Sequence, residues 1–151
     1  MYEIIFVILA IIYIIFSQLK SKHPRPRAHT QYGVISYTQK GETVRSYAEK
    51  RLADYFDKNG ILYKYEPELR GIRAHPDFYL PEYGVYVEYW GLVDADDPEV
   101  KARYVKGMKI KMAKYYKNNI SFISIYPKNL ENIDWIFRKK FEDVMGYRFP
   151  R

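Results

Sequence analysis

The chain has 151 residues, 48% of them hydrophobic and 18% aromatic, with 17 Tyr, no Cys and a formal net charge of +7. That length suits one globular domain plus an appendage, and the lack of Cys excludes disulfides, thiolate catalysis and Cys-ligated zinc. The positive balance favours a polyanion as partner, either nucleic acid or anionic lipid.

Ile4 to Phe16 is an unbroken apolar run, extended by Tyr2 before it and by Ser17, Gln18 and Leu19 after it. A helix that crosses a bilayer takes about 20 apolar residues, with about 17 as the lower limit. The run predicts a transmembrane helix over residues 2–19, with Tyr2 and Tyr13 suited to the interface and Lys20 able to snorkel. A cleaved signal peptide is the competing reading, but it carries its positive charge before the apolar run and a small-residue cleavage site after it. Here Glu3 precedes the run and Lys20, Lys22, Arg25 and Arg27 follow it, which favours an uncleaved span. No face of the segment is polar, unlike a surface helix of a soluble domain. The basic cluster lies C-terminal to the span, so the positive-inside rule predicts a single-pass membrane protein whose C-terminal domain is cytoplasmic. Without that cluster and Glu3, the remainder of the chain still carries about +4.

Residues 20–41 read as a basic tether, with Pro24 and Pro26 alternating with Arg25 and Arg27, and with Tyr32 to Thr38 as a possible short edge strand. A folded domain is expected over 42–147. Helical periodicity over 43–58 puts Val44, Tyr47, Ala48, Leu52, Tyr55 and Phe56 on one face, with Gly60 as the stop. Leu62 to Glu66 alternates like a strand. After the hairpin described below, Asp97 and Pro98 open a second helix as N-cap and first helical residue, running to about Asn118. Ser121 to Tyr126 reads as a buried strand. A last helix is expected from Glu131 to Met145, with Ile133, Ile136, Phe137, Phe141 and Val144 inward and Gly146 as its end. The order helix, three strands, helix, strand, helix predicts an α/β three-layer sandwich with a mixed central β-sheet flanked by helices.

The stretch Pro76 to Gly91 carries the chemistry. Leu80 and Val85 flank a four-residue loop, Pro81-Glu82-Tyr83-Gly84, with turn formers at both ends. If Leu80 pairs with Val85, then Phe78 pairs with Val87 and Asp77 with Glu88, with Cβ atoms about 5 Å apart. Two acids so placed repel each other unless a divalent cation lies between them, and Mg²⁺ is commonly held by one or two carboxylates plus water and substrate phosphate. The alternative is an acid at a fraying strand end in solvent. Glu88, Tyr86 and Trp90 share a strand face. Glu49 sits in Ser46-Tyr47-Ala48-Glu49, a capping-box pattern, and is open to either a capping role or a role in the acid cluster. On the second helix Tyr104, Met108 and Tyr115 form a stripe, and Lys111 lies about 20° from Tyr104. Lys111 is the lysine expected to reach inward and Lys109 the runner-up, with a snorkelling amine as the alternative. The three His are scattered, no helix carries His-Glu-x-x-His, and no Gly-rich loop follows a strand.

These residues resemble the PD-(D/E)xK nuclease superfamily, and are similar in particular to the small nuclease-like domains that also occur fused to superfamily-1 DNA helicases. The resemblance rests on Glu49, Pro76-Asp77-Phe78-Tyr79-Leu80-Pro81 and Val87-Glu88-Tyr89-Trp90-Gly91, with Tyr65-Glu66 upstream and Phe122 to Pro127 downstream. It covers residues 41 to 146. It implies a restriction-endonuclease-like core in which Asp77, Glu88 and the Tyr89 carbonyl bind Mg²⁺ or Mn²⁺, with Glu49 in support. The family lysine two residues after the second acid is replaced here by Trp90. Some members move that lysine to the following helix, which implies Lys111. The resemblance does not extend to the N-terminal span; taken with that span, it implies a membrane-anchored, metal-dependent DNA endonuclease. The alternative is an inactive nuclease-fold protein that serves as a membrane-tethered nucleic-acid-binding or interaction module.

Overall fold

The computed structural model describes residues 33–69 and 71–150. The apolar run at 2–19 and most of the tether lie outside the described residues; among those described, no helix is long and apolar enough to cross a membrane.

The chain is mixed α/β. A two-stranded antiparallel hairpin, β1 (Ser36–Tyr37) and β2 (Thr43–Val44), comes first. Its turn is closed by the Gly41 amide on the Thr38 carbonyl (2.9 Å), with Gly41 at φ +81°, a conformation glycine adopts without a Cβ clash. Residues 36–41 therefore belong to the hairpin rather than to a tether. The Gln39 amide ties it to the first helix through Asp54 Oδ1 (2.7 Å).

Helix α1 spans Tyr47–Lys58. It starts four residues later than the periodicity predicts, because Val44 is committed to β2 and Ser46 caps the helix, accepting the Glu49 amide at 3.1 Å. Tyr47, expected inward, is exposed, whereas Leu52, Ala53, Tyr55 and Phe56 are buried. The four-stranded sheet runs β3 (Lys64–Tyr65), β4 (Phe78–Leu80), β5 (Val85–Tyr89), β6 (Phe122–Ile125). The first two pairings are antiparallel and the last is parallel. Helix α2 (Pro98–Lys117) makes the crossover that a parallel pair requires. Its start is as expected: Asp97 Oδ1 accepts the Glu99 and Val100 amides at 2.8 and 3.1 Å.

The register Phe78–Val87, Tyr79–Tyr86, Leu80–Val85 is the one predicted from the loop. It sends Phe78, Leu80, Val85 and Val87 to one face, where they are fully buried against Leu52, Phe56, Phe137 and Phe141. Phe56 meets Phe78 and Phe137 edge-on, with centroids 5.4 and 5.5 Å apart. Each such ring contributes about 2–3 kcal/mol by burial. The opposite face carries Tyr79, Tyr86, Glu88 and Phe122 and packs on α2 through Tyr115 and Met112.

A 3₁₀ turn, Pro127–Asn132, precedes α3 (Ile133–Met145), so the last helix begins later than expected. Phe137 and Phe141 form its inward stripe, while Val144, also expected inward, is exposed. Gly146 at φ +76° ends the helix and turns Phe149 back over Phe141, at 4.8 Å between centroids.

Candidate active site

The β4–β5 register brings the two acids together. Asp77 lies one residue before β4 and Glu88 within β5, in line with the ladder above. The Asp77 carbonyl accepts the Glu66 amide at 2.8 Å, so the backbone at Asp77 is fixed from the β3 side. Its Oδ2 accepts the Tyr89 amide at 2.7 Å. Tyr89 thus touches the pair through its N–H, whereas the expectation concerned its carbonyl.

Glu88 is 1% exposed, yet each of its oxygens has a partner. Oε2 accepts Lys111 Nζ at 2.7 Å and Oε1 accepts the Tyr115 hydroxyl. Asp77 is a further hydrogen-bond partner of the Glu88 carboxyl. Residues 111 and 115 are one helical turn apart on α2, so a single helix face delivers both donors. Lys111 also donates to the His75 carbonyl at 2.7 Å and lies 5.5 Å from the centre of the Trp90 ring. Trp90 is buried and its Nε1 donates to Ser124 Oγ on β6 at 2.9 Å. The indole therefore fills the position that the resemblance gives to a lysine, and it forms a wall beside the lysine that arrives from α2.

The electrostatics follow from two acids sharing one water-poor place. Burial pushes the Asp77 carboxyl up to about 8, the charge of Glu88 adds to the rise, and Lys111 and the Tyr89 amide oppose it. Burial also raises Glu88, against the pull of Lys111 and Tyr115. The Tyr115 hydroxyl is pushed far up by burial and by Glu88, and Tyr104 is pushed up to about 12 by burial and the charge of Asp77.

Glu49 does what a cap does. Its Oε2 accepts the Arg45 amide (2.9 Å) and the Tyr65 hydroxyl (2.7 Å). The capping pattern is legible in sequence, with Arg45 taking the place expected for residue 46. Its charge also contributes a minor upward push on Asp77, so capping and electrostatic influence on the cluster coexist.

The acids line a cleft of about 280 Å³ together with Tyr89, Trp90, Arg103, Tyr104, Met108 and Lys111. Among the described residues no group of three or more His, Cys, Asp or Glu side chains is placed to hold a metal ion. The donors at this site are two carboxylates, all oxygen, which suits a hard cation that keeps waters and takes further ligands from a substrate phosphate. The structure brings the expected Asp77, Glu88 and Lys111 to the cleft, whereas Lys109, the runner-up for an inward lysine, is exposed. Of the site's other residues, sequence reading had less to say. It missed the Tyr115 bond to Glu88, although Tyr115 is one turn from Lys111, and it missed Arg103.

Compared with protein-family models, with curated proteins and with solved structures, the chain matches none of them.

Proposed function

We propose that the cleft hydrolyses phosphodiester bonds of nucleic acid, DNA in the first instance, in a chain anchored to a membrane by residues 2–19. The observation that carries this reading is the meeting of Asp77, Glu88 and Lys111 in one cleft on one sheet face, each delivered by a different segment. The order of strands and helices is compatible with a restriction-endonuclease-like core. Asp77 and Glu88 would hold Mg²⁺ or Mn²⁺, whose charge polarises a scissile phosphate and acidifies an attacking water. The residues of the chain supply the rest. The Lys111 ammonium orients that water and offsets developing negative charge. Trp90 excludes bulk water from one side of Lys111, and Tyr115 holds Glu88 in place. Arg103 at the cleft and the exposed Lys101, Lys106 and Lys109 on α2 would take backbone phosphates without reading bases.

A second reading, a nucleic-acid-binding module without catalysis, is favoured by one feature: Lys111 is already engaged by both Glu88 and the His75 carbonyl. The test uses the full chain in detergent micelles with plasmid and single-stranded DNA, with Mg²⁺ or Mn²⁺. Cleavage that Asp77→Ala abolishes supports the hydrolase. Cleavage that survives Asp77→Ala refutes the assigned site, and salt-sensitive binding without cleavage selects the second reading. Because the chain has no Cys, single Cys residues placed before and after the apolar run report membrane topology by labelling from either side. A cytoplasmic C-terminal domain predicts protection of the exposed Gln39→Cys from an external reagent in intact cells.

A further inference from the structure

Gly107 lies inside α2 and lines the same cleft as Asp77 and Glu88. Glycine is a poor residue for a helix interior, because it has more backbone freedom to lose than alanine and no side chain to pack. A helix has a use for one there when its own neighbours crowd the position, or when a ligand comes close to the backbone. The neighbours do not crowd this one. Gly107 is not among the residues with positive φ, and a Cβ added to it would meet no atom of another segment within 4 Å. Gly91 is the contrast, since a Cβ there would lie 2.8 Å from the Tyr89 ring. Arg103, Gly107 and Lys111 follow one another at intervals of four residues, so they form one row on the helix, with Gly107 about 6 Å along the axis from each. The missing side chain leaves a gap in that row between two cations, and the gap opens on the cleft. The cations of this side are not consumed by the fold: Arg103 and Lys106 are exposed, and neither is paired with an acid among the described residues.

We propose that Gly107 is a point of substrate contact, where the sugar–phosphate backbone of a nucleic-acid strand crosses α2 through the gap between Arg103 and Lys111. This rests on the nucleic-acid reading of the cleft and adds the path of the strand to it. Arg103 takes a phosphate on one side of the crossing, and the next part of the strand descends towards Lys111 and the acid pair. The contact at Gly107 itself is one of van der Waals closeness, because the amide at that position is already used within the helix. A methyl or larger group there would hold the strand away from the helix and lift the scissile phosphate out of the cleft. The glycine thus sacrifices helix stability for closeness of approach.

The test compares the parent with Gly107→Ala and Gly107→Leu, each as the full chain in nonionic micelles. Thermal unfolding is measured beside fluorescence-anisotropy titration with a labelled single-stranded oligonucleotide and with its duplex, in Ca²⁺ in place of Mg²⁺. Gly107→Ala should raise Tm by roughly 2–5 °C, as a better helix former in open space does. The same variant should bind the oligonucleotide several-fold more weakly, and Gly107→Leu about tenfold or more weakly, in whichever form the parent binds. A gain in stability together with a loss of affinity is the signature of a glycine kept for a ligand, and a glycine without a role would give the gain alone. A parent that binds neither oligonucleotide overturns the nucleic-acid reading and this inference with it. A parent that binds, with both variants binding equally well, overturns this inference alone. So does a lower Tm in Gly107→Ala, which would show that the chain itself needs the glycine.

Discussion

Asp77→Asn should stabilise the protein while removing its proposed activity. In the folded chain the Asp77 carboxyl is pushed from 3.8 to about 8, chiefly by burial and then by Glu88. The carboxyl thus holds its proton more tightly in the folded than in the unfolded chain. The resulting stability is fully present below about pH 4 and is lost as the pH rises through about 8. At about 1.4 kcal/mol per pH unit, the interval amounts to about 6 kcal/mol as an upper bound. Asp77 retains some exposure to the cleft, and water there relieves much of this cost, so about 2 kcal/mol at pH 8 is the expected gain. Asparagine keeps the geometry: its carbonyl accepts the Tyr89 amide and its NH₂ donates towards Glu88. For a domain of this size that gain raises Tm by roughly 5–10 °C. The assay is thermal unfolding of the full chain in micelles, variant against parent, from pH 4 to 9. The difference should be near zero at pH 4 and widen towards pH 9. A variant less stable than the parent at pH 8, or a difference that does not change with pH, means that the two acids do not oppose each other as described.

Other changes probe the neighbours of the pair. Lys111→Met leaves Glu88 buried without its counter-charge and should cost about 3 kcal/mol at pH 8, and less as the pH is lowered, because burial raises the Glu88 carboxyl and favours its neutral form; denaturant titration across the pH range checks this. Tyr115→Phe removes the hydroxyl that Glu88 Oε1 accepts, with an expected loss of about 1–3 kcal/mol by the same method. Glu49→Gln keeps an acceptor for the Arg45 amide and the Tyr65 hydroxyl, so stability should change by less than about 0.5 kcal/mol. Losing the Glu49 charge should nonetheless lower the Asp77 titration midpoint, read by ¹³C NMR of the carboxyl.

The parts of the fold that local rules govern were legible in the sequence. The loop from Pro81 to Gly84 fixed the register, because a slip of one residue would turn Phe78, Leu80, Val85 and Val87 out of the core. Helical geometry favoured Lys111 over Lys109, the resemblance pointed to it as well, and Asp97-Pro98 marked a helix start. What escaped depends on contacts distant in sequence. The β1–β2 hairpin has two-residue strands, too short for any period to show. The meeting of Trp90 with Ser124, 34 residues apart, needs the parallel β5–β6 pairing. Tyr115 reads as one more apolar ring on a stripe until Glu88 is opposite it. Tyr47 and Val144 were misread because an amphipathic stripe narrows at helix ends, where the next segment or solvent replaces the sheet.

Whether Asp77 and Glu88 chelate a cation together can be measured without any substrate. Mn²⁺ titration of the full chain, followed by electron paramagnetic resonance of the free ion, should show one saturable site in the parent. That site should weaken about tenfold or more in Asp77→Asn and, separately, in Glu88→Gln, as loss of one of two carboxylate ligands requires. No saturable site in the parent at millimolar Mn²⁺, or the parent's affinity retained in both variants, would show that the paired acids do not form a metal centre.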